Sequence, residues 1–221
     1  MLKSIVNHFV SPLTSRKLFA AVFGNVIIGI GVAALRYSTL GNDPYSASTM
    51  AISDGLGMGL GNYQAILNLI LFTVQLIWGR KYIGIGSIVN FVGLGYMVQF
   101  SYYIMGLLLP DSTELSFLIK LIVLFLALLL TTYGLSMYQL ANLGVAPFDF
   151  LSLGMTEHLP TPYFINRVIT DGACVVIILI AVFSNFISWE NAHLGIGTIC
   201  CAFCVGPFID FFNKINKKWI R

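Results

Sequence analysis

Long apolar runs, separated by short polar stretches, occupy the chain from about residue 17 to near its C-terminal end. An α-helix needs about 20 mostly apolar residues to cross a bilayer, and six runs approach or exceed that length. The pattern therefore predicts an all-α polytopic membrane protein with six transmembrane helices. Their expected positions are 17–37, 61–79, 84–109, 115–141, 162–184 and 194–213.

A shorter stretch follows the first predicted span, and another follows the fourth, each broken by glycine or proline. Asp43 and Pro44 are typical of a helix start, with an acidic N-cap before a proline at the first helical position. Pro147 occupies the same place in the second stretch, with Asp149 close behind it. Each helix would be about 15 Å long, half a bilayer, and would either re-enter the membrane or lie flat in the interface. We predict these two broken helices within 43–57 and 146–159.

The two halves of the chain carry the same motifs. The pattern L-G-x-x-P-[FY] follows the first predicted span at 40–45 and the fourth at 143–148, an offset of 103 positions. The pattern G-I-G-[ST] opens the third span at 84–87 and the sixth at 195–198, an offset of 111. Each half has an odd number of spans, so the second half must insert upside down relative to the first. The sequence thus predicts two inverted three-helix repeats, an architecture typical of secondary transporters.

Charge predicts the orientation. Only 10% of the residues are charged, whereas a soluble domain has about a quarter. Basic residues gather before the first span, between the second and third, and after the sixth, and the positive-inside rule makes that side cytoplasmic. We expect a multi-pass protein with both termini in the cytoplasm. The predicted organisation is a cytoplasmic segment 1–16, a first repeat 17–110, a second repeat 115–213 and a basic cytoplasmic tail 214–221.

Polar side chains inside the predicted spans are candidates for function, because they are costly to place in hydrocarbon. Arg167 and Asp171 lie four residues apart, and 103 positions earlier the chain has Gln64 and Asn68. Polarity therefore recurs at these places in both halves, although residue identity does not. We predict a substrate site at the midplane between the repeats, lined by Asp43, Pro44, Gln64, Asn68, Pro147, Asp149, Arg167 and Asp171.

Two interpretations of the charged residues remain open. Arg167 could clamp a carboxylate through its planar guanidinium, while a nearby aspartate holds an ammonium group or a coupling proton. A zwitterion such as an amino acid would suit that arrangement better than a sugar. Alternatively, Arg167 and Asp171 simply neutralise each other across one helical turn.

Other chemistries lack a signal in the sequence. The four cysteines are interpreted as small packing residues, and the histidines are not placed to complete a metal site with them. We find no nucleotide-binding, protease, haem or serine-nucleophile motif and no basic block suited to nucleic acid. We therefore expect a protein that is not an enzyme, with no cofactor, no metal and no nucleic-acid partner.

The motifs support a resemblance. The two L-G-x-x-P-[FY] motifs, the two G-I-G-[ST] motifs and the ending Gly206-Pro207-Phe208-Ile209-Asp210-Phe211 resemble the YczE/YyaS/YitT-type bacterial membrane proteins, and the YczE-like branch in particular. In the first half, Asn42-Asp43 replaces the small residues more usual before Pro44. The resemblance covers nearly the whole chain. It implies a protein of the bacterial plasma membrane, often suspected of solute transport, and it implies no agreed substrate or site residues.

Three functions fit these observations. The first is a secondary transporter of a small polar organic solute, such as an amino acid, an amine or a vitamin-like compound, working within the lipid bilayer. The second is a substrate-binding subunit of a larger transporter with a separate energising partner. The third is a membrane scaffold or assembly factor that transports nothing. A homo-oligomer is compatible with each of them.

Overall fold

The computed structural model describes residues 14–161 and 163–220. Within those ranges, six helices are long and apolar enough to cross a membrane, and they confirm the predicted all-α polytopic fold. Most of the predicted segment 1–16 lies outside the described residues. The long helices are α1 (Ser15–Ser38), α3 (Leu60–Trp78), α4 (Ile85–Leu108), α5 (Phe117–Ala141), α7 (Tyr163–Phe183) and α8 (Ile196–Ile220).

The two remaining helices, α2 (Pro44–Gly55) and α6 (Pro147–His158), are the predicted broken helices. Both have 12 residues and begin with proline. The Asp43 carboxylate accepts a hydrogen bond from the Ser46 amide at 3.0 Å and so caps α2, as the sequence predicted. In α6 the cap position is an alanine, and the acidic residue lies in the first turn instead, where it favours the positive end of the helix dipole.

Helix α8 is longer than predicted. The apolar pattern ends near residue 213, but the helix continues to Ile220 through a polar segment that carries Lys217 and Lys218. Lysine and asparagine there do not interrupt helical hydrogen bonding, so loss of hydropathy marks the end of the apolar span and not the end of the helix. Most of the predicted basic tail is thus the last two turns of α8.

Helices α1 and α5 cross closely because glycines face each other. A Cβ added to Gly24 would lie 2.9 Å from the carbonyl oxygen of Gly134, and one added to Gly134 would lie 2.8 Å from that of Gly24. Gly31 packs in the same way against Thr131, so residue numbers rise along one helix as they fall along the other. The two helices are therefore antiparallel, and their backbones meet without intervening side chains.

A backbone exchange joins the end of α1 to the start of α8. The Gly197 amide donates to the Leu40 carbonyl at 2.7 Å, and the Asn42 amide donates to the His193 carbonyl at 3.0 Å. Gly41, between the two, has a φ of 110°, which only glycine adopts readily. This connection depends on the glycine of the L-G-x-x-P motif.

A second exchange joins the end of α5 to the start of α4. The Gly86 amide donates to the Leu143 carbonyl at 2.8 Å, and the Val145 amide donates to the Tyr82 carbonyl at 2.9 Å. Gly144 has a φ of 116°. The bonded residues of the two exchanges are related by the offsets of the sequence motifs. Leu40 and Leu143 are 103 positions apart, and Gly86 and Gly197 are 111 positions apart. The repeated motifs therefore make equivalent contacts, each with the other half of the chain.

The polarity of the described residues is inverted relative to a soluble protein. Asn25, Asn68 and Gln75 are buried, whereas Phe183 and Phe203 are 80% and 76% exposed. Buried amides bond across helices, as where Asn90 donates to Asn25 at 2.9 Å. Apolar side chains facing outward and polar ones facing inward are what a lipid environment demands.

The eight α-helices of the described residues form two groups. The group that we call the frame contains α1, α4, α5 and α8, which pack on one another around the α1–α5 crossing. The group that we call the inner bundle contains α2, α3, α6 and α7, in which each short helix contacts both α3 and α7. The groups also meet where α3 packs on α4, and there the Gln99 side chain accepts a hydrogen bond from the Gly61 amide at 3.0 Å. Among the described residues, α7 and α8 pack together far less than α3 and α4 do.

Candidate functional site

The starts of the two short helices meet through an aromatic pair. Tyr45 in α2 and Phe148 in α6 stack with ring centroids 4.1 Å apart and planes inclined by 19°. Each ring follows the proline that begins its helix, and the two positions are 103 residues apart. The N-terminal ends of α2 and α6 are therefore brought to one place in the inner bundle, where amide groups and helix dipoles converge.

Neutral amides surround Tyr45 in the first half. Its hydroxyl donates to the Asn68 side-chain oxygen at 2.9 Å, and the Gln64 side chain also lies within hydrogen-bonding reach of it. The Asn68 nitrogen in turn donates to the Phe91 carbonyl in α4 at 3.1 Å. Asn68 lies near the middle of α3, so these contacts are far from either end of the span.

Charged groups surround Phe148 in the second half. The Arg167 guanidinium donates through Nη1 to Asp149 in α6 and through Nε to Asp171 one turn along α7, the latter at 3.2 Å. Its central carbon lies 5.2 Å from the centre of the Phe148 ring, a cation–π contact. All three charged side chains are more than two-thirds buried. Together with Tyr45 and Phe148 we call these residues the central cluster.

Negative charge exceeds positive charge around the central cluster. Asp171 lies within electrostatic range of both Asp43 and Asp149, so three carboxylates lie near one another beside the single Arg167 guanidinium. Each carboxylate has a partner, since Asp43 caps α2, while Asp149 and one oxygen of Asp171 accept hydrogen bonds from Arg167. The Oδ1 atom of Asp171, however, is buried and accepts no hydrogen bond from any described residue. An acceptor of this kind suits a donor that arrives with a ligand.

The structure brings the predicted site residues together, and it changes the expected role of one. Arg167 lies between two aspartates, so its guanidinium already binds protein carboxylates and is poorly placed to clamp one from a solute. The predicted pairing of Arg167 with Asp171 is confirmed, but Asp149 shares the same cation. Pro44 and Pro147 are buried at the helix starts, each directly before the aromatic residue of its helix.

A cluster that the sequence analysis did not predict lies at the end of α2. The Asp54 carboxylate pairs with Arg36 at 3.1 Å and accepts a hydrogen bond from Nε2 of His193 at 3.0 Å. We call this the His193 latch. The guanidinium carbon of Arg36 also lies 4.5 Å from the centre of the Tyr102 ring. A cavity of about 250 Å³ adjoins the latch, and its lining includes Asn42, Glu190 and Asn191.

A similar cluster lies at the end of α6. The Glu157 carboxylate accepts a hydrogen bond from the Tyr82 hydroxyl and pairs with Lys81 at 2.6 Å. We call this the Tyr82 latch. Hydrogen bonds from Lys81 and Tyr82 hold the pKa of Glu157 below its ordinary value. The carboxylate is therefore ionised at neutral pH.

The pKa of Asp54 in the His193 latch is lowered for a related reason. Burial opposes its ionisation, but the hydrogen bond from His193 and the charge of Arg36 outweigh burial, so the pKa of Asp54 falls below its ordinary value. Long-range contacts such as Asp54 to His193 cannot be found from helix periodicity. The repeat offsets do relate the two clusters, however, because Asp54 and Glu157 are 103 positions apart and Tyr82 and His193 are 111 positions apart.

Comparison with known proteins finds two relatives of the chain in one bacterium. It is 26% identical to the uncharacterized membrane protein YczE of Bacillus subtilis (strain 168) over 190 residues, which cover 85% of this chain and 81% of YczE. It is 24% identical to the uncharacterized protein YyaS of the same strain over 202 residues, covering 88% of this chain and 91% of YyaS. The resemblance seen in the sequence motifs is confirmed. No solved structure matches significantly. The model of the family of unknown function DUF6198 matches residues 15–214, and the chain belongs to that family.

Proposed function

We propose that the protein is a secondary transporter of a small polar organic solute carrying an ammonium group, bound at the central cluster between two inverted repeats. The observation that supports this most is the arrangement of Arg167 between two aspartates, at the meeting point of two short helices. Charged groups away from water are costly, and in a membrane protein they commonly mark a solute or ion pathway. Asn68 lies near the middle of α3 and Asp171 lies near the middle of α7, which favours a site near the midplane.

The repeated contacts support the inverted-repeat part of the proposal. The antiparallel crossing of α1 and α5 and the two backbone exchanges relate the halves by the same offsets. Transporters built from inverted repeats hold their solute near the midplane, where broken helices start. The positive-inside rule would place both termini in the cytoplasm of a bacterial cell.

Charge favours an amine over an anion. With three carboxylates near one guanidinium, a further carboxylate would be repelled, whereas an ammonium group would restore the balance. The buried Oδ1 atom of Asp171 offers that ammonium an acceptor. A simple amine or an amino acid therefore remains a candidate, whereas a plain carboxylate or a sugar does not.

Ligand-induced stabilisation of the purified, detergent-solubilised protein tests this proposal. Ethanolamine and alanine should raise the melting temperature, with a gain of about 2.7 kcal/mol at 100 times Kd, whereas propionate and glucose should not. Asp171→Asn should abolish the gain, and Asp210→Asn, which changes an exposed carboxylate in α8, should retain it. Uptake of the stabilising solute into proteoliposomes would then establish transport. Equal stabilisation of wild type and Asp171→Asn, or none by any amine, would contradict the proposal.

A further inference from the structure

We propose that the His193 latch and the Tyr82 latch are two gates, which close the central cluster from opposite faces of the protein. The idea rests on the proposed transport function, but it is argued from different residues. Each latch fastens the last turn of a short helix in the inner bundle to the segment just before a helix of the frame.

The two latches occupy equivalent positions. Asp54 ends α2 and Glu157 ends α6, 103 positions apart, and Tyr82 precedes α4 as His193 precedes α8, 111 positions apart. These are the offsets that relate the backbone exchanges of the frame. The side chains differ, yet a carboxylate on a short helix binds a ring donor on the frame in both places. Such a recurrence is unexpected for incidental surface pairs.

The latches lie at opposite ends of the spans. Arg36, in the His193 latch, lies in the last turn of α1. Lys81, in the Tyr82 latch, follows the end of α3. Successive spans run in alternate directions, so α1 ends at the face where α3 begins. If the inner bundle tilts against the frame, one latch can open while the other stays closed.

The bonds of the latches suit a gate. Each depends on side chains that are partly accessible to solvent, and such ion pairs are weak and easily exchanged for water. The contacts within the frame, by contrast, are buried glycine crossings and backbone hydrogen bonds. The cavity of about 250 Å³ beside the His193 latch would let water reach that gate from its own face.

A native thiol reports on opening. Cys174 in α7 is 6% exposed, and its side chain lies beside Ser48 of α2 and within electrostatic range of Asp171. With both latches closed, a bulky membrane-impermeant maleimide should reach it slowly from either face. Labelling Cys174 needs no solute. The gate proposal can therefore fail while the transport proposal holds, and the transport proposal can fail while the gate proposal holds.

The experiment compares two matched variants, Asp54→Ala and Glu157→Ala, in a background with Cys200, Cys201 and Cys204 changed to alanine. Intact cells and inside-out vesicles are treated with the maleimide, and Ser112→Cys and Arg80→Cys identify the two faces. We expect Asp54→Ala to speed Cys174 labelling by up to about fivefold from the Ser112 face, and Glu157→Ala to do so from the Arg80 face, because losing a weak, partly exposed ion pair shifts a population by no more than about that factor. Glu190→Ala and His158→Ala, which change neighbouring groups, should leave the rate unchanged.

Two milder variants keep the test decisive if an alanine variant misfolds. Tyr82→Phe removes only the hydroxyl that binds Glu157. His193→Asn removes the imidazole yet suits the backbone, since His193 has a φ of 54° and asparagine tolerates that conformation. Faster labelling from the predicted face supports the gates. Unchanged labelling in folded variants, or faster labelling from both faces or from the wrong one, overturns them.

Discussion

The two halves of the protein share a backbone arrangement but differ in chemistry. In the first half, the ring of Tyr45 is held by the neutral amides of Gln64 and Asn68. At the equivalent places in the second half, Phe148 is flanked by Arg167 and Asp171. The helix starts, the glycine turns and the backbone exchanges are retained in both. The frame thus requires both halves to be alike, whereas charge is concentrated in one.

This difference suggests a division of labour. A neutral hydrogen-bonded ring needs no compensating charge and can position its stacked partner. A cation shared between two carboxylates can change partners when a proton or an ammonium group arrives. The second half would then carry the chemistry, and the first half would hold it in place.

The largest expected effect is from Arg167→Gln. It would leave Asp149 and Asp171 partly buried without their cation, and breaking such a pair should cost about 3 kcal/mol of unfolding free energy. Gln64→Leu, at the equivalent position of the first half, should cost only about 1 kcal/mol, because a neutral contact is lost. Chemical unfolding in detergent measures both.

The control for that prediction removes the stranded charges. The triple variant Arg167→Gln, Asp149→Asn, Asp171→Asn should recover most of the lost stability. The double variant Arg167→Gln, Asp171→Asn should recover only part of it. Equal costs for Arg167→Gln and Gln64→Leu would mean that the two halves do not differ energetically.

The sequence predicted the fold more fully than the site. Apolar runs placed the spans, and Pro44 and Pro147 placed the short helices, because hydropathy and proline act over a few residues. The stacking of Tyr45 on Phe148, and the sharing of Arg167 with Asp149, depend on where distant segments meet. Nothing local encodes those contacts, although the aromatic position of the repeated L-G-x-x-P-[FY] motif marks both Tyr45 and Phe148.

A second prediction concerns the crossing that both halves share. Gly134→Leu would push a side chain into the α1 backbone and should cost about 2 kcal/mol, the usual penalty for overpacking. Gly93→Leu is the matched control, because a Cβ there would meet no atom within 4 Å. Thermal unfolding should show a clear loss for the first and little change for the second. A similar loss in both would mean that glycine itself, and not the close crossing, is required.

A third prediction asks whether the first half takes part in solute binding. Tyr45→Phe removes the hydroxyl that donates to Asn68 and should cost about 1 kcal/mol of stability. Ammonium-dependent stabilisation should persist, because the charged groups of the second half are untouched. Tyr103→Phe, on an exposed ring, serves as the neutral control. Loss of ligand stabilisation in Tyr45→Phe would assign chemistry to both halves.

The smallest expected effect is a pH dependence that the two latches share. Because the pKa of Asp54 is lowered in the folded protein, its contribution to stability is present above the ordinary carboxyl range and is lost as pH falls through the folded pKa. The difference in melting temperature between wild type and Asp54→Ala should therefore stay constant from about pH 7 to 5 and shrink below about pH 4. A partly exposed pair of this kind contributes less than about 1 kcal/mol, so the shift will be small. Glu157→Ala should behave alike, since the pKa of Glu157 is lowered too. If neither difference shrinks below about pH 4, the two carboxylates do not stabilise the latches through their ionised form.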